Sequence, residues 1–346
     1  MKKLLFLLLF GLVTCTLNAQ QAPHDGCASD EMLQRLLAND PKAAARQAAF
    51  DRQVADIAMI QGNQRTSGIT TVRTIPVVVH IIHNGGPENL SNTVIQQGIQ
   101  DMNDAFANVG IYDPLTGVNT DIQFCLASQD PSGAGTTGIV RVQSPLTNVI
   151  METQDLSLKA LSRWDPTKYL NIWLVAEISS QSMGSGVAGY AYFPSSHGQP
   201  EDGIVNEARW FGSNPHNSKI HVHEAGHYLG LYHTFQGGCT NNNCLTDGDH
   251  VCDTPPDNST AATICTNAMN TCATDDDDLS NNNPFRPVVN GGLGDQPDMI
   301  MNYMDYGFQS CQSAFTQGQS DRMNATLSGT RASLLGSLGC LSPCPN

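Results

Sequence analysis

Residues 223–233 read His-Glu-Ala-Gly-His-Tyr-Leu-Gly-Leu-Tyr-His. On a helix, His223 and His227 are four positions apart, so both imidazoles lie on one face and can grip one ion. Glu224 stands one position round, beside the ion rather than on it. Gly230 can leave the helix in a left-handed conformation that other residues resist, and the turn brings His233 back to the same point. Three neutral imidazoles suit zinc with one open position. The chemistry implied is hydrolysis: a zinc-activated water, with Glu224 as the general base that takes its proton. The alternative is a helix with three core histidines, which would bury three imidazoles without partners. The long motif fixes five positions, and a chance match in such a chain is on the order of 10⁻⁵. His80, His83, His197, His216, His221 and His250 fall outside the pattern.

Several elements must position these residues. Ile75-Pro76-Val77-Val78-Val79-His80-Ile81-Ile82 and Leu170-Asn171-Ile172-Trp173-Leu174-Val175 are β-rich runs of the kind found in buried strands. Asn92 to Phe106 has apolar residues at helical spacing, strands are predicted near 121–126 and 139–142, and 156–163 is mixed. Gly189 to Phe193, closed by Pro194, reads as an edge strand. Alternating strands and helices predict an α/β layer. Ahead of it, Glu31 to about Met59 is helical in composition, and Gln61 to Gly68 reads as an exposed linker. A helical segment on a cleavable linker is what a propeptide looks like, with a small structural extension as the alternative.

Downstream of the zinc motif, residues 302–306 read Asn-Tyr-Met-Asp-Tyr. The long motif followed by this turn resembles the metzincins. Within them the chain resembles the pappalysin family, in its small prokaryotic branch. The likeness rests on the run at 75–80, His233-Thr234-Phe235, Asp253-Thr254-Pro255, and Cys311 followed by Phe315-Thr316-Gln317-Gly318-Gln319 and Arg322-Met323. It covers roughly residues 70–335. It implies an α/β (α+β) fold with a mixed twisted sheet, an active-site helix and an irregular, disulfide-bonded lower half. It also implies a secreted zinc endopeptidase acting on polypeptides. Met304 would be the methionine beneath the zinc, and Tyr306 the tyrosine that supports the oxyanion. Calcium would sit in the loop after the motif at Asp253 and Thr254, near Asp247 and Asp249, with a solvated loop as the competing reading. Two disulfides would tie the lower half, Cys265–Cys311 and Cys272 with Cys239 or Cys244. Cys27 would ligand zinc in a latent precursor, its own propeptide acting as inhibitor, although Ala28 stands where the family has glycine. Members of this branch favour a basic residue after the scissile bond, which an acid close behind the Met-turn suits. Residues 307–311 contain no acid, so the resemblance implies relaxed selectivity, unless Asp305 or Asp321 reaches the pocket.

Composition fits that picture. Lys2, Lys3, an apolar run from Leu4 to Val13 and Leu17-Asn18-Ala19 form a signal peptide over residues 1–19. The predicted organisation is then a propeptide over 20–66 and a catalytic domain over 67–346, its upper half ending near 233 and its lower half spanning 234–346. The formal charge of -15 argues against nucleic acid or an anionic membrane as partner. The acid run Asp275 to Asp278 reads as a solvated loop. Eleven cysteines in an exported chain indicate disulfides. Cys125, in a strand, reads as a buried free thiol, and Cys27 as the switch or, alternatively, a partner of Cys125 or another cysteine. Two other functions remain on the sequence: an inactive binding module on a protease fold, and a zinc enzyme for a small amide or ester.

Overall fold

A computed structural model describes residues 26–62, 71–112, 117–212, 214, 219–258, 269–307 and 309–342, with the side chains of 58–62 not described. The predicted signal peptide, the linker around Arg65, Cys265 and His216 lie outside these residues.

The first strand, β1 (Gly26–Cys27), is followed by two helices, α1 (Ser29–Asn39) and α2 (Pro41–Gly62). The sequence reads as helical in composition from Glu31 to about Met59 and does not by itself mark a break. The break falls where Pro41 follows Asp40, whose extended backbone cannot continue a helix. Proline is nonetheless well placed at the start of α2.

The sheet contains β2 (Arg73–His83), β3 (Ile122–Leu126), β4 (Ile139–Gln143), β5 (Asn148–Ile150), β6 (Leu170–Val175), β7 (Glu177–Ser180), β8 (Gly184–Ala191) and β9 (Ile204–Glu207). The order is β3-β2-β6-β9-β8-β7-β5, with β4 also on β2 and β1 on β8. Most neighbours are parallel, but β8 runs antiparallel to both β7 and β9. β2 and β6 have every central residue buried, which is why they lack a polar alternation. One face packs on α3 (Asn92–Ala107) and α5 (Lys219–Tyr228), and α4 (Met151–Lys159) lies near the other end of the sheet. Ser91 caps α3 by accepting from Val94 N.

The edge strand predicted at 189–193 is β8, which ends at Ala191. In this form it is not an edge: β9 holds one side at 189–191, and Gly26 and Cys27 pair with Val187 and Gly189 on the other.

Below α5 regular structure gives way to turns, closed by α6 (Gln317–Ser328). Three disulfides are described: Cys125–Cys340, Cys239–Cys272 and Cys244–Cys252. The first corrects the reading of Cys125 as a free thiol. A strand cysteine can be bridged by a residue 215 positions away, and no local pattern marks such a partner. The second matches one pairing implied by resemblance. Cys311 is also disulfide-bonded. The acid run is not simply solvated, since Asp275 and Asp278 are buried. Asp275 accepts from Gln296 N and Asp278 from Cys244 N, so they staple irregular backbone that has no ladder to satisfy it.

Candidate active site

α5 presents His223, Glu224 and His227 to the cleft, and all three are buried. Gly230, at φ +96°, turns the chain back, with its N–H donating to His227 O and Leu231 N donating to Gly226 O. His233 is thereby delivered to the other two. The three Nε2 atoms lie 3.1–3.2 Å apart. Each Nδ1 is committed elsewhere: to Tyr303 O, to Leu231 O and to Asp30 Oδ2. Protons on Nδ1 leave three lone pairs converging on one point, an arrangement that repels itself unless a cation stands between them. Burial, and then the neighbouring imidazoles, push His223 down to about 3 and His227 well below the usual imidazole range, keeping both neutral. Cys27 Sγ joins them, all four ligand atoms lying within 4.8 Å of one another. Among the described residues this is the one such group of metal-binding side chains. Two or three nitrogens with a sulfur suit zinc.

Glu224 lies beside this cluster. Its Oε2 accepts from Ser29 Oγ at 2.8 Å and from Cys27 Sγ at 3.5 Å, while Oε1 is buried with no partner. Burial pushes the carboxyl up to about 8 against the lowering effect of those two hydrogen bonds. Burial, together with the Glu224 charge, also raises the Cys27 thiol well above its ordinary value.

Tyr306 closes the opposite wall. Its hydroxyl donates to the peptide carbonyl of Cys27 at 2.8 Å, and its ring meets that of His233 edge-on at 4.8 Å. Met304 is fully buried under α5. A Cβ on Gly226 would stand 2.4 Å from the Met304 sulfur, so the helix and the turn approach as closely as they do only because that position is glycine. Gly189 has the same role above: a Cβ there would meet Asn206 at 2.4 Å and Glu224 Cγ at 3.1 Å.

Every residue expected in the zinc site is therefore in one place. Ser29, Asp30, Gly189 and Gly226 were not foreseen. Ser29 and Asp30 had a signal, since they follow Cys27 directly, but a two-residue polar step carries no periodicity. The residues expected at calcium, Asp253 and Thr254, also make contacts within the protein. Asp253 accepts from Thr316 Oγ1 and from Gly318 N, holding the start of α6. The Thr254 hydroxyl has two acceptors in reach of its one proton, Asp249 Oδ2 and Val251 O. Asp249, Asp253 and Thr254 thus gather their oxygens around the turn that follows the zinc motif.

A mixed sheet above a helix with this histidine constellation, over a methionine turn, is the fold and site of a metzincin metalloprotease. The chain belongs to the Peptidase_M43 family, described as pregnancy-associated plasma protein-A, the pappalysins, whose profile matches residues 154–328. It is 28% identical over 335 residues to an extracellular metalloprotease of Pyricularia oryzae, spanning 94% of this chain and 96% of that protein. An extracellular metalloprotease of Neurospora crassa is 33% identical over 194 residues, covering 54% and 57%. Among solved structures, a promirolysin mutant from Tannerella forsythia superposes with a TM-score of 0.66 at 25% identity, over 92% of this chain and 99% of the other. Mature mirolysin from the same organism, in complex with a cleaved peptide, gives 0.61 at 27% identity, over 80% and 100%. Among the described residues no helix is long and apolar enough to cross a membrane.

Proposed function

We propose that the chain is a secreted zinc endopeptidase made as a latent precursor, with residues 1–19 as signal peptide, 20–66 as propeptide and 67–346 as catalytic domain. His223, His227 and His233 would hold zinc, with Cys27 as the fourth ligand until the propeptide leaves. When bound, zinc acts as a Lewis acid that polarises a carbonyl and acidifies water. Glu224 takes the proton of the attacking water and delivers it to the leaving nitrogen. Its unpartnered Oε1 offers a place for that exchange. Tyr306 donates to the carbonyl oxygen as negative charge develops there.

The observation that carries this reading is the Cys27 peptide. Its carbonyl accepts from Tyr306 while its thiol lies among the three imidazoles, so a peptide already sits where one would be cut. Its chain runs parallel to β8, and Ser29 occupies Glu224, so it is held there as an occupant and not as a substrate. The complex of mirolysin with a cleaved peptide supports polypeptide as the substrate, and promirolysin supports a precursor. Relatives named as extracellular support export.

Glu224→Ala tests the mechanism. Matured wild-type protein should cut peptides, lose activity to phenanthroline and regain it with zinc. The variant should bind equal zinc and lose on the order of 10⁴-fold in kcat or more. Activity within tenfold of wild type would remove Glu224 from the mechanism.

A further inference from the structure

Lys219 opens α5 one helical turn ahead of His223, on the same face, and is buried. Its Nζ donates to the carbonyl of Gln309, three residues past Tyr306, and stands 5.7 Å from the centre of the Tyr112 ring. Among the described residues no carboxylate forms an ion pair with it. Burial alone lowers its pKa to about 8, with no acid acting in the other direction. Nearby, the Gln309 Oε1 atom is buried without a partner. Asp305, the acid adjacent to Tyr306, is engaged elsewhere: its Oδ1 accepts from Tyr306 N, and burial together with Asp257 raises its carboxyl to about 7. Asp321 lies along α6, accepting from Gln317 and acting on Asp253. Among the described residues, a carbonyl and a ring are the partners of this ammonium, which makes it an incomplete pair.

The direction of the cleft says which part of a substrate meets it. Gly189 of β8 lies against Glu224, and Phe193 beyond it lies 5.3 Å from the His227 ring. Moving along β8 toward its C-terminus therefore moves along α5 toward its C-terminus. The propeptide takes that route, from Cys27 at the imidazoles to Leu33 packed with Phe193 and Tyr232. The other direction leads to the first turn of α5 and Lys219. An extended peptide adding to β8 in the slightly more stable antiparallel sense puts the residues after its scissile bond on the Lys219 side. One turn of helix is about 6 Å, within reach of the first side chain past the cut.

We propose that Lys219 is the specificity-determining residue on this side of the cleft, and that it selects substrates with a carboxylate side chain, Glu or Asp, immediately after the scissile bond. This rests on the endopeptidase reading above. The incoming carboxylate completes the pair that the fold leaves open, and a lysine or arginine at that place meets a like charge it cannot escape. The absence of acid in residues 307–311 removes a partner for basic side chains. Lys219 adds a reason for the opposite preference.

The test is cleavage of a peptide set differing only after the scissile bond, with matured wild-type protein and with Lys219→Met, Lys219→Arg and Lys219→Glu. The readout is the ratio of kcat/KM for Glu over Lys at that position, so a general loss of activity cancels. The ratio should exceed tenfold in wild type and fall about 10- to 100-fold in Lys219→Met, in line with losing a charge-assisted contact. Lys219→Arg should keep it, and Lys219→Glu should invert it. Thermal melting and zinc content identify any variant that fails to fold, and the Arg and Glu variants then decide. Wild-type cleavage before Lys as fast as before Glu, or a ratio unmoved by charge reversal, overturns the assignment while leaving the protease intact. Failure of the wild type to cut any peptide overturns the endopeptidase reading and this inference together.

Discussion

The segment proposed as the propeptide meets the rest of the chain at two places of different kind. Near its start, Cys27, Ser29 and Asp30 engage the site's own atoms: the three imidazoles, Glu224 and His233 Nδ1. Further on, α2 anchors to residues that take no part in the chemistry. Asp51 pairs with Arg322 at 2.9 Å and accepts from Tyr232, Gln47 donates to the Tyr232 hydroxyl, and Phe50 lies under Gly230. On the proposed reading the first contact blocks and the second positions. A latch built from catalytic atoms would give way only when the chain departs, because each of its bonds would compete with one the reaction needs. An anchor built from an ion pair and an apolar patch sets how long the latch stays nearby.

Removing the latch should have the largest effect. Cys27→Ala in the full precursor should raise its peptidase activity on the order of 10²-fold, since the zinc position would be left to water. Precursor as silent as wild type would mean that Ser29 and Asp30 suffice. On the proposed reading Tyr306 belongs to both latch and machinery, so Tyr306→Phe should act twice. Turnover of the mature form should fall roughly 10²-fold, and the precursor should convert more readily, as the hydroxyl no longer holds the Cys27 carbonyl. Unchanged turnover would reduce Tyr306 to a structural ring.

The anchor should matter less. Asp51→Asn should weaken latency by roughly tenfold or less, because it removes a charge-assisted pair and leaves the site contacts. The pH dependence has a definite sign. Burial would raise the Asp51 carboxyl, but His250 and Arg322 outweigh it and hold it at about 2 against an ordinary 3.8. A depressed carboxylate contributes fully above its ordinary value and is lost as pH falls through the depressed one. Acidification to pH 5 should therefore leave α2 docked, with release of the Asp51 contribution only between about pH 4 and pH 2. Release monitored by limited proteolysis at pH 5 would contradict this. The smallest effect concerns calcium. If Asp253 and Thr254 hold calcium, as the resemblance implies, millimolar calcium should raise the melting temperature of the mature form by a few degrees, on the order of 2 to 5 °C. A melting temperature unmoved by calcium would remove the ion from this loop.

The same contrast explains what could be read from the sequence. The buried strands β2 and β6 and the helix α3 were legible because each repeats an apolar pattern along several residues. The zinc site was legible because helical geometry converts the 223–233 spacing into a shared face. Met304 and Tyr306 came from resemblance, and Gly226 explains in physical terms how close that turn comes. What stayed hidden depends on contacts between distant segments. Cys125 gives no sign of Cys340, and Asp275 no sign that Gln296 needs it. Lys219 looks like any surface lysine until α5 and the chain after Tyr306 are brought together. The reading of Gly189 to Phe193 as an edge missed β1, because a two-residue strand far upstream in the chain leaves no pattern that marks it as a partner of β8.

The central claim is that Cys27 and the three histidines share one zinc ion until the propeptide departs. Zinc-edge X-ray absorption on the precursor and on the matured form tests it directly, with peptide cleavage followed on the same samples. The account predicts one sulfur and three nitrogens at about 2.3 and 2.0–2.1 Å in the precursor, and loss of the sulfur shell in step with the appearance of activity. A precursor with no sulfur around its zinc, or a matured form that keeps sulfur and still cuts, would contradict it.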